Sequence, residues 1–138
     1  MTILVVGGAT GIGATCADLL ADMGLDVQAP SKDELDVTRM FSVAMYHYDQ
    51  GSVESIVYSA GVNHLNWSQK MSMQEVEGMF DVNVLGLLRV FQKYHSPTLR
   101  NLVVIGSDAA WSPMRTSVGY NASKAALHEA VKVIAREN

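Results

Sequence analysis

Short unbroken apolar runs and longer stretches of helical period take turns along this chain, and each switch marks an element. Thr2-Ile3-Leu4-Val5-Val6 is continuous and β-branched, as expected for a strand covered on both faces of a parallel sheet. Ala14 to Met23 reads as a helix that Gly24 ends, and Asp26 to Ala29 as a second strand. Leu35-Asp36-Val37 is a short strand at best, and Thr38 stands where a cap is needed for a helix to about Asp49. The span before the next strand, Val53 to Tyr58, has room for one helix and not two. The turn Ser59-Ala60-Gly61 follows it.

A polar loop from Val62 to Met71 contains His64, Asn66 and Trp67. His64 has no visible partner and reads as solvent-facing rather than as a catalytic base. Ser72-x-x-Glu75 is a capping box that opens a long helix to about His95. Val76, Met79, Phe80, Val84, Leu87, Leu88 and Phe91 form its apolar stripe, and Asn83 falls inside that stripe. A buried amide is costly unless paired. Asn83 is therefore either a staple locked to backbone or the holder of a water at a site, and the helix alone leaves both open. Pro97 ends the segment, and Asn101 to Gly106 is the last strand, delivering Ser107. The loop Asp108 to Thr116, with Trp111 and Met114, leads into a helix over about Ser117 to Arg136. Ala122, Ala125, Ala126 and Ala130 give that helix smooth faces for close contact. Strands alternating with helices predict an α/β fold on a parallel sheet.

Composition narrows the class. Of 138 residues, 49% are hydrophobic and 17% charged, enough apolar material for one packed domain over 1–138. The net charge of −4, without a basic run, argues against nucleic acid as a partner. Cys16 is the only cysteine; it can form neither an internal disulfide nor a metal cluster, and it suits a reducing compartment. Met1 leads straight into the first strand without a basic n-region, and no apolar run approaches the roughly 18 residues of a membrane span. The expectation is a cytoplasmic protein with no metal and no membrane contact.

Two stretches carry candidate chemistry. The first is Gly7-x-x-x-Gly11-x-Gly13, placed between the first strand and the first helix. There Gly7 permits a tight turn, Gly11 lets backbone approach a pyrophosphate, and Gly13 lets the helix lie close to the sheet. The amides and dipole of the helix start would face the phosphates. This setting makes a Rossmann-like, doubly wound sheet and a dinucleotide site the expectation. At the tip of the second strand, where the adenosine ribose belongs, Ser31 and Lys32 offer a hydroxyl and a cation, with no carboxylate until Asp33. That favours NADP(H), with NAD(H) the alternative. Ala60 and Gly61 are small where a cofactor could pass.

The second stretch is Ser107 to Lys124. Tyr120 and Lys124 are four residues apart and share a helix face. A cation held near a phenol favours the phenolate and brings a group of pKa about 10 closer to working range. Ser107 lies just past a strand, at the carboxyl edge where open α/β sheets bind ligands.

Taken together, these features resemble the short-chain dehydrogenase/reductase family, single-domain type, over almost the whole chain. The family's T-G-x-x-x-G-[IL]-G is similar to Val6-Gly7-Gly8-Ala9-Thr10-Gly11-Ile12-Gly13, with valine in place of threonine, so the resemblance implies cofactor contact at Thr10 and Ile12 as well. The pair that touches adenine resembles Asp36-Val37. The N-N-A-G turn is similar to Tyr58-Ser59-Ala60-Gly61, where Tyr58 departs from an asparagine that buttresses the sheet and meets the cofactor ribose. The family's helix asparagine, serine, tyrosine and lysine match Asn83, Ser107, Tyr120 and Lys124. The resemblance implies five strands in the order 3-2-1-4-5 within a three-layer αβα sandwich. It implies hydride transfer between nicotinamide and a ketone or alcohol, with Tyr120 as proton donor and Ser107 on the same oxygen. Lys124 would hold the nicotinamide ribose, and Asn83 would hold a water passing protons to Lys124.

The family's chains continue past the tyrosine helix into further strands and a substrate lid, and this sequence stops at Asn138. The expectation is a fragment of a longer enzyme, with a natural minimal form and an inactive cofactor-binding module as rivals. Nucleotide-sugar epimerisation, which also uses Tyr-x-x-x-Lys, would need a large C-terminal domain. Family members pair through the asparagine and tyrosine helices, which implies a homodimer or tetramer through 72–95 and 117–136.

Overall fold

β1 (Thr2–Val6) is buried along its whole length, and this explains its unbroken apolar run. The computed structural model describes residues 2–46 and 52–138, and its packing falls into two units. The first comprises Met1–Ala60 with Leu87–Ile105, and the second Gly61–Gly86 with Gly106–Asn138.

In the first unit β1 lies between β2 (Asp26–Gln28) and β3 (Val53–Tyr58), and β4 (Asn101–Val104) pairs with β3. The order is β2-β1-β3-β4 and every pairing is parallel. Register sets Leu4 beside Ile56, Val5 beside Val57 and Val6 beside Tyr58. One face carries Ile3, Val5 and Val57, packed with Ala17, Cys16 and Leu20 of α1 (Gly11–Asp22) and with Leu25 and Val27. The opposite parity, Leu4, Val6, Ile56 and Tyr58, is equally buried. Tyr58 is 1% exposed, so its bulk fills the sheet centre where the related pattern has an asparagine. Polar pairs pin the strand ends: Thr2 Oγ1 donates to Asp26 Oδ2 at 2.6 Å, and Asn101 Nδ2 to Ser55 Oγ at 3.0 Å.

Four strands stand among the described residues where five were expected; the segment that would have been third in 3-2-1-4-5 makes none. Leu35 and Val37 are buried, but their surroundings are not a ladder. The amide of Leu35 turns back to Ser31 O at 2.9 Å, that of Asp36 donates to Ser42 Oγ at 2.8 Å, and Val37 O accepts from Arg89 Nη1 at 2.9 Å. Side chains and a local turn satisfy these backbone groups, so no partner strand is required. Thr38 does not cap a helix either. Its hydroxyl donates to Asp36 Oδ1 at 2.7 Å, and α2 (Met40–Met45) begins after Arg39. The expected helix end near Asp49 lies outside the described residues.

In the second unit the capping box opens α3 (Met73–Phe80), with Glu75 N–H donating to Ser72 Oγ at 3.2 Å and Ser72 N–H to Glu75 Oε2 at 2.8 Å. The long helix expected over 72–95 is interrupted by a π-helical turn, Asp81–Leu85, before α4 (Gly86–Tyr94) resumes, which from Leu87 onward belongs to the first unit. Asn83 stands at the middle of that turn. Of the expected stripe Met79, Val84 and Leu87 are buried and Val76, Phe80, Leu88 and Phe91 half-buried, while Val90, outside that stripe, is fully buried. A short 3₁₀ turn, Asp108–Ala110, follows Ser107, and α5 (Val118–Glu137) closes the chain.

Leu4, 1% exposed in the central strand, gives a direct test of this core. Leu4→Ala should lower the unfolding free energy by about 2–5 kcal/mol. Urea denaturation with an unchanged slope is the measurement, and a negligible shift in midpoint would contradict the burial described.

Candidate functional site

In the first unit the glycine turn is built as its spacing requires. Gly7 has φ +80°, and a Cβ there would sit 2.6 Å from Ala60 N. The turns after β1 and β3 therefore touch, and Ser59 N–H donates to Val6 O at 2.9 Å. A Cβ on Gly13 would overlap the Gly7 carbonyl oxygen and come within 3.1 Å of Ser59 Oγ, so the start of α1 can approach the turn only without a side chain. On the other side Gly11 has nothing within 4 Å of its Cβ position. Thr10 stands at the N-cap without a side-chain bond of its own, and Ile12 is 65% exposed. The first amides of a helix, open to solvent and backed by its dipole, form a seat suited to a diphosphate.

The tip of β2 differs from the expectation in one respect. Ser31 and Lys32 are there, but a carboxylate has joined them. Ser31 N–H and Oγ–H both donate to Glu34 Oε2, each at 2.8 Å, and these bonds hold the Glu34 carboxyl below its usual range. Glu34 went unnoticed in the sequence because it lies three residues past Ser31, and the intervening turn brings it back. Asp36 is half-buried, and burial opposes its charge. The Thr38 hydroxyl and amide, with Lys32 and Arg39 nearby, outweigh that cost and lower its pKa. Val37 beside it is buried.

In the second unit Asn83 is fully buried and clamps the loop that starts at Gly61. Its Oδ1 accepts from Val62 N at 2.8 Å, while Nδ2 donates to Val62 O at 3.0 Å and to Ser123 Oγ at 2.9 Å. Both amide hydrogens are thus spent on the protein. Ser123 Oγ donates in turn to Tyr120 O at 2.8 Å, so one chain of bonds links Val62, Asn83 and the backbone of Tyr120. Lys124 is 5% exposed, and its Nζ stands 5.8 Å from the centre of the Tyr120 ring. A side chain on Gly61 would lie 3.5 Å from Asn83 Oδ1 and 3.7 Å from Lys124 Nζ.

Ser107 lies half-buried at the head of the 3₁₀ turn, where its Oγ accepts from Ala109 N at 3.2 Å and donates to Asp108 Oδ1 at 3.3 Å. The latter is a long bond for two oxygens and is given up cheaply. That turn is fastened to α5 beside Tyr120, because Asn121 Nδ2 donates to Ala109 O at 2.8 Å. Asn83, Ser107, Tyr120 and Lys124 therefore belong to one unit, whereas Gly7, Thr10, Gly11, Ile12, Gly13, Ser31, Lys32, Asp36, Val37 and Ala60 belong to the other. Gly61 falls with the first group, and His64 is exposed. No helix among the described residues is long and apolar enough to cross a membrane.

A family model described as short chain dehydrogenase matches residues 27–138. The chain belongs to the short-chain dehydrogenase family. The match begins after the glycine turn, so that turn rests on its own geometry. The vibriobactin-specific 2,3-dihydro-2,3-dihydroxybenzoate dehydrogenase of Vibrio cholerae serotype O1 is 28% identical over 98% of this chain and 63% of its own length. The 3-oxoacyl-(acyl-carrier-protein) reductase MabA of Mycobacterium bovis is 30% identical over 99% of this chain and 62% of its own. The chain thus spans just over six-tenths of the length of these curated relatives. Among solved structures, a small-chain dehydrogenase in complex with NADPH superimposes with a TM-score of 0.90 at 21% identity, covering 99% of this chain and 64% of that one. The ligand-free aldohexose dehydrogenase of Thermoplasma acidophilum gives 0.89 at 26% identity, covering 99% and 61%. The fold is Rossmann-like, as these short-chain dehydrogenase neighbours share it.

Burial lowers the pKa of Lys124 from its usual 10.5. The unfolded chain then binds more protons than the folded one between the lowered value and 10.5, so this group makes stability rise with pH across that window. Lys124→Met removes the titration. The unfolding free energy of the native chain relative to this variant should therefore grow as pH rises through the window. Paired urea denaturations at stepped pH would read it, and a pH-independent difference would rule the burial effect out.

Proposed function

We propose that this chain carries the cofactor-binding and catalytic residues of an NADP(H)-dependent oxidoreductase that interconverts a ketone and its alcohol. The observation that carries the reading is the buried Lys124 ammonium beside the Tyr120 ring, on a helix to which the Ser107 turn is fastened. Bound nicotinamide supplies the hydride. Tyr120 gives its proton to the oxygen that gains charge as the carbonyl is reduced, and Ser107 stabilises the same oxygen by hydrogen bonding. The Lys124 ammonium beside the Tyr120 ring attracts the negative charge that proton transfer leaves on the phenol oxygen. Asn83 acts by holding Val62 and, through Ser123, the first turn of α5; one lone pair of its Oδ1 remains for a water. The glycine turn and the start of α1 hold the diphosphate, with Asp36 and Val37 toward the adenine.

NADP(H) is favoured over NAD(H) by Ser31 and Lys32, and a solved neighbour of the fold is described as an NADPH complex. The relatives' names, a dihydrodiol dehydrogenase and an oxoacyl reductase, support the alcohol–ketone class. Pairing of two copies through residues 72–95 and 117–136 is supported by Leu85, Val118 and Val133, which are exposed. A second reading, cofactor binding without turnover, is favoured by Tyr58 in the place of the related asparagine.

The deciding experiment follows the nicotinamide absorbance band with a panel of ketones. Tyr120→Phe should lower kcat by roughly 10²- to 10⁴-fold with NADPH affinity preserved. Activity that survives the substitution would rule out the proposed acid, and binding of NADPH with no turnover by the native chain would favour the second reading. Glu34 gives an independent check on the cofactor. A 2′-phosphate and the Glu34 carboxylate compete for the same Ser31 donors. Glu34→Gln should tighten NADPH by about two- to fivefold, the scale of an exposed charge pair, and leave NADH nearly unchanged. Equal changes for the two cofactors would dissociate Glu34 from the choice between them.

A further inference from the structure

Asn121, the residue after Tyr120, has no part in the chemistry above, yet its side chain is heavily committed. Its Nδ2 donates one hydrogen to Ala109 O at 2.8 Å and the other to Ser112 O at 3.0 Å. Its Oδ1 is buried and meets no partner. An empty buried acceptor is a cost that packing must impose. The reverse orientation would set the amide oxygen against two carbonyl oxygens, so only the observed one can hold the loop.

One of those carbonyls lies inside the short turn that follows Ser107 and the other two residues past its end. Ser107 Oγ accepts from Ala109 N–H at 3.2 Å, and Ser112 N–H closes back on Asp108 O at 2.8 Å. Ala109 is 2% exposed, and Trp111 rests edge-on against His128 of α5 with ring centres 5.4 Å apart. At its far end the loop reaches Thr116, a β-branched residue held at φ +64° whose carbonyl accepts from Asn66 N at 2.8 Å. Such a backbone state persists only where surrounding contacts over-determine it. The loop between Ser107 and Ser117 is thus laid onto α5, and Asn121 is the fastening adjacent in sequence to the phenol.

We propose that Asn121 is a positioning residue that sets the Ser107 hydroxyl relative to the Tyr120 phenol. One helix, α5, then dictates the placement of both groups that meet the substrate oxygen. The inference rests on the oxidoreductase reading. Its physical basis is the steep cost of misplaced donors, since a shift of about 1 Å can cost on the order of a hundredfold in rate.

The test uses the full chain with NADPH and a panel of ketones including ethyl acetoacetate, and compares Asn121→Ala, Asn121→Asp, Ser107→Ala and the double variant Ser107→Ala/Asn121→Ala. Asn121→Ala should lower kcat by roughly ten- to a hundredfold with the dissociation constant of NADPH unchanged. Asn121→Asp should be at least as damaging, because its carboxylate faces two carbonyls. If Asn121 acts through Ser107, the double variant should be no slower than Ser107→Ala alone, within about twofold. Amide hydrogen exchange across 108–112 should quicken by about tenfold or more in Asn121→Ala, with α1 unaffected. Losses that multiply in the double variant, or unchanged exchange at 108–112, overturn the proposal. A native chain inert toward every ketone overturns the oxidoreductase reading and the catalytic half of this inference together. The exchange rates then establish or refute the fastening on their own.

Discussion

A single buried carboxamide sits where three segments of the second unit meet. Asn83 cannot be withdrawn from the interior without leaving the Val62 amide and carbonyl and the Ser123 hydroxyl short of partners. The π-turn around it is the backbone adjustment that accompanies this placement: an extra residue in the turn lies where the helix delivers the amide to the Val62 loop. Through Ser123 the same group reaches the carbonyl of Tyr120. A polar network of this kind is worth having only when every member is satisfied, and here the donors of Asn83 are all used.

Lys124 gives the electrostatics of this region its character. An ammonium that is 5% exposed loses solvation, and its lowered pKa is the measure of that loss. A flexible surface lysine four residues from a tyrosine would have no such effect. A side chain on Gly61 would press within 3.5 Å of Asn83 Oδ1 and 3.7 Å of Lys124 Nζ, so the glycine keeps its own side of both polar atoms open. The glycine turn of the first unit follows the same logic, with Gly7 and Gly13 allowing backbone contacts that any Cβ would prevent.

The elements were largely legible because burial and period are local properties. β1 announced itself as an unbroken apolar run and β3 by its Ile56-Val57-Tyr58 end, and the capping box at Ser72 and Glu75 marked the start of α3 within a residue. The failures came where a backbone group found a partner far away in sequence. Leu35–Val37 has a strand's composition, but Ser42 and Arg89 supply its hydrogen bonds, and no pattern in the chain pairs residue 37 with residue 89. The break in the long helix was equally silent, since DVNVL reads as ordinary helix with one amide in its stripe.

Spacing alone put a glycine turn between a strand and a helix, and a phenol and an ammonium on one helical face, because main-chain geometry repeats and residues at set intervals must share a side. Which donors and acceptors those side chains meet was a matter for the folded chain. The Glu34 carboxylate on Ser31, the double grip of Asn121 on the loop after Ser107, and the choice of a backbone clamp for Asn83 each join groups separated by turns or whole elements. Such pairings depend on distances in space, and periodicity along a chain carries no record of them.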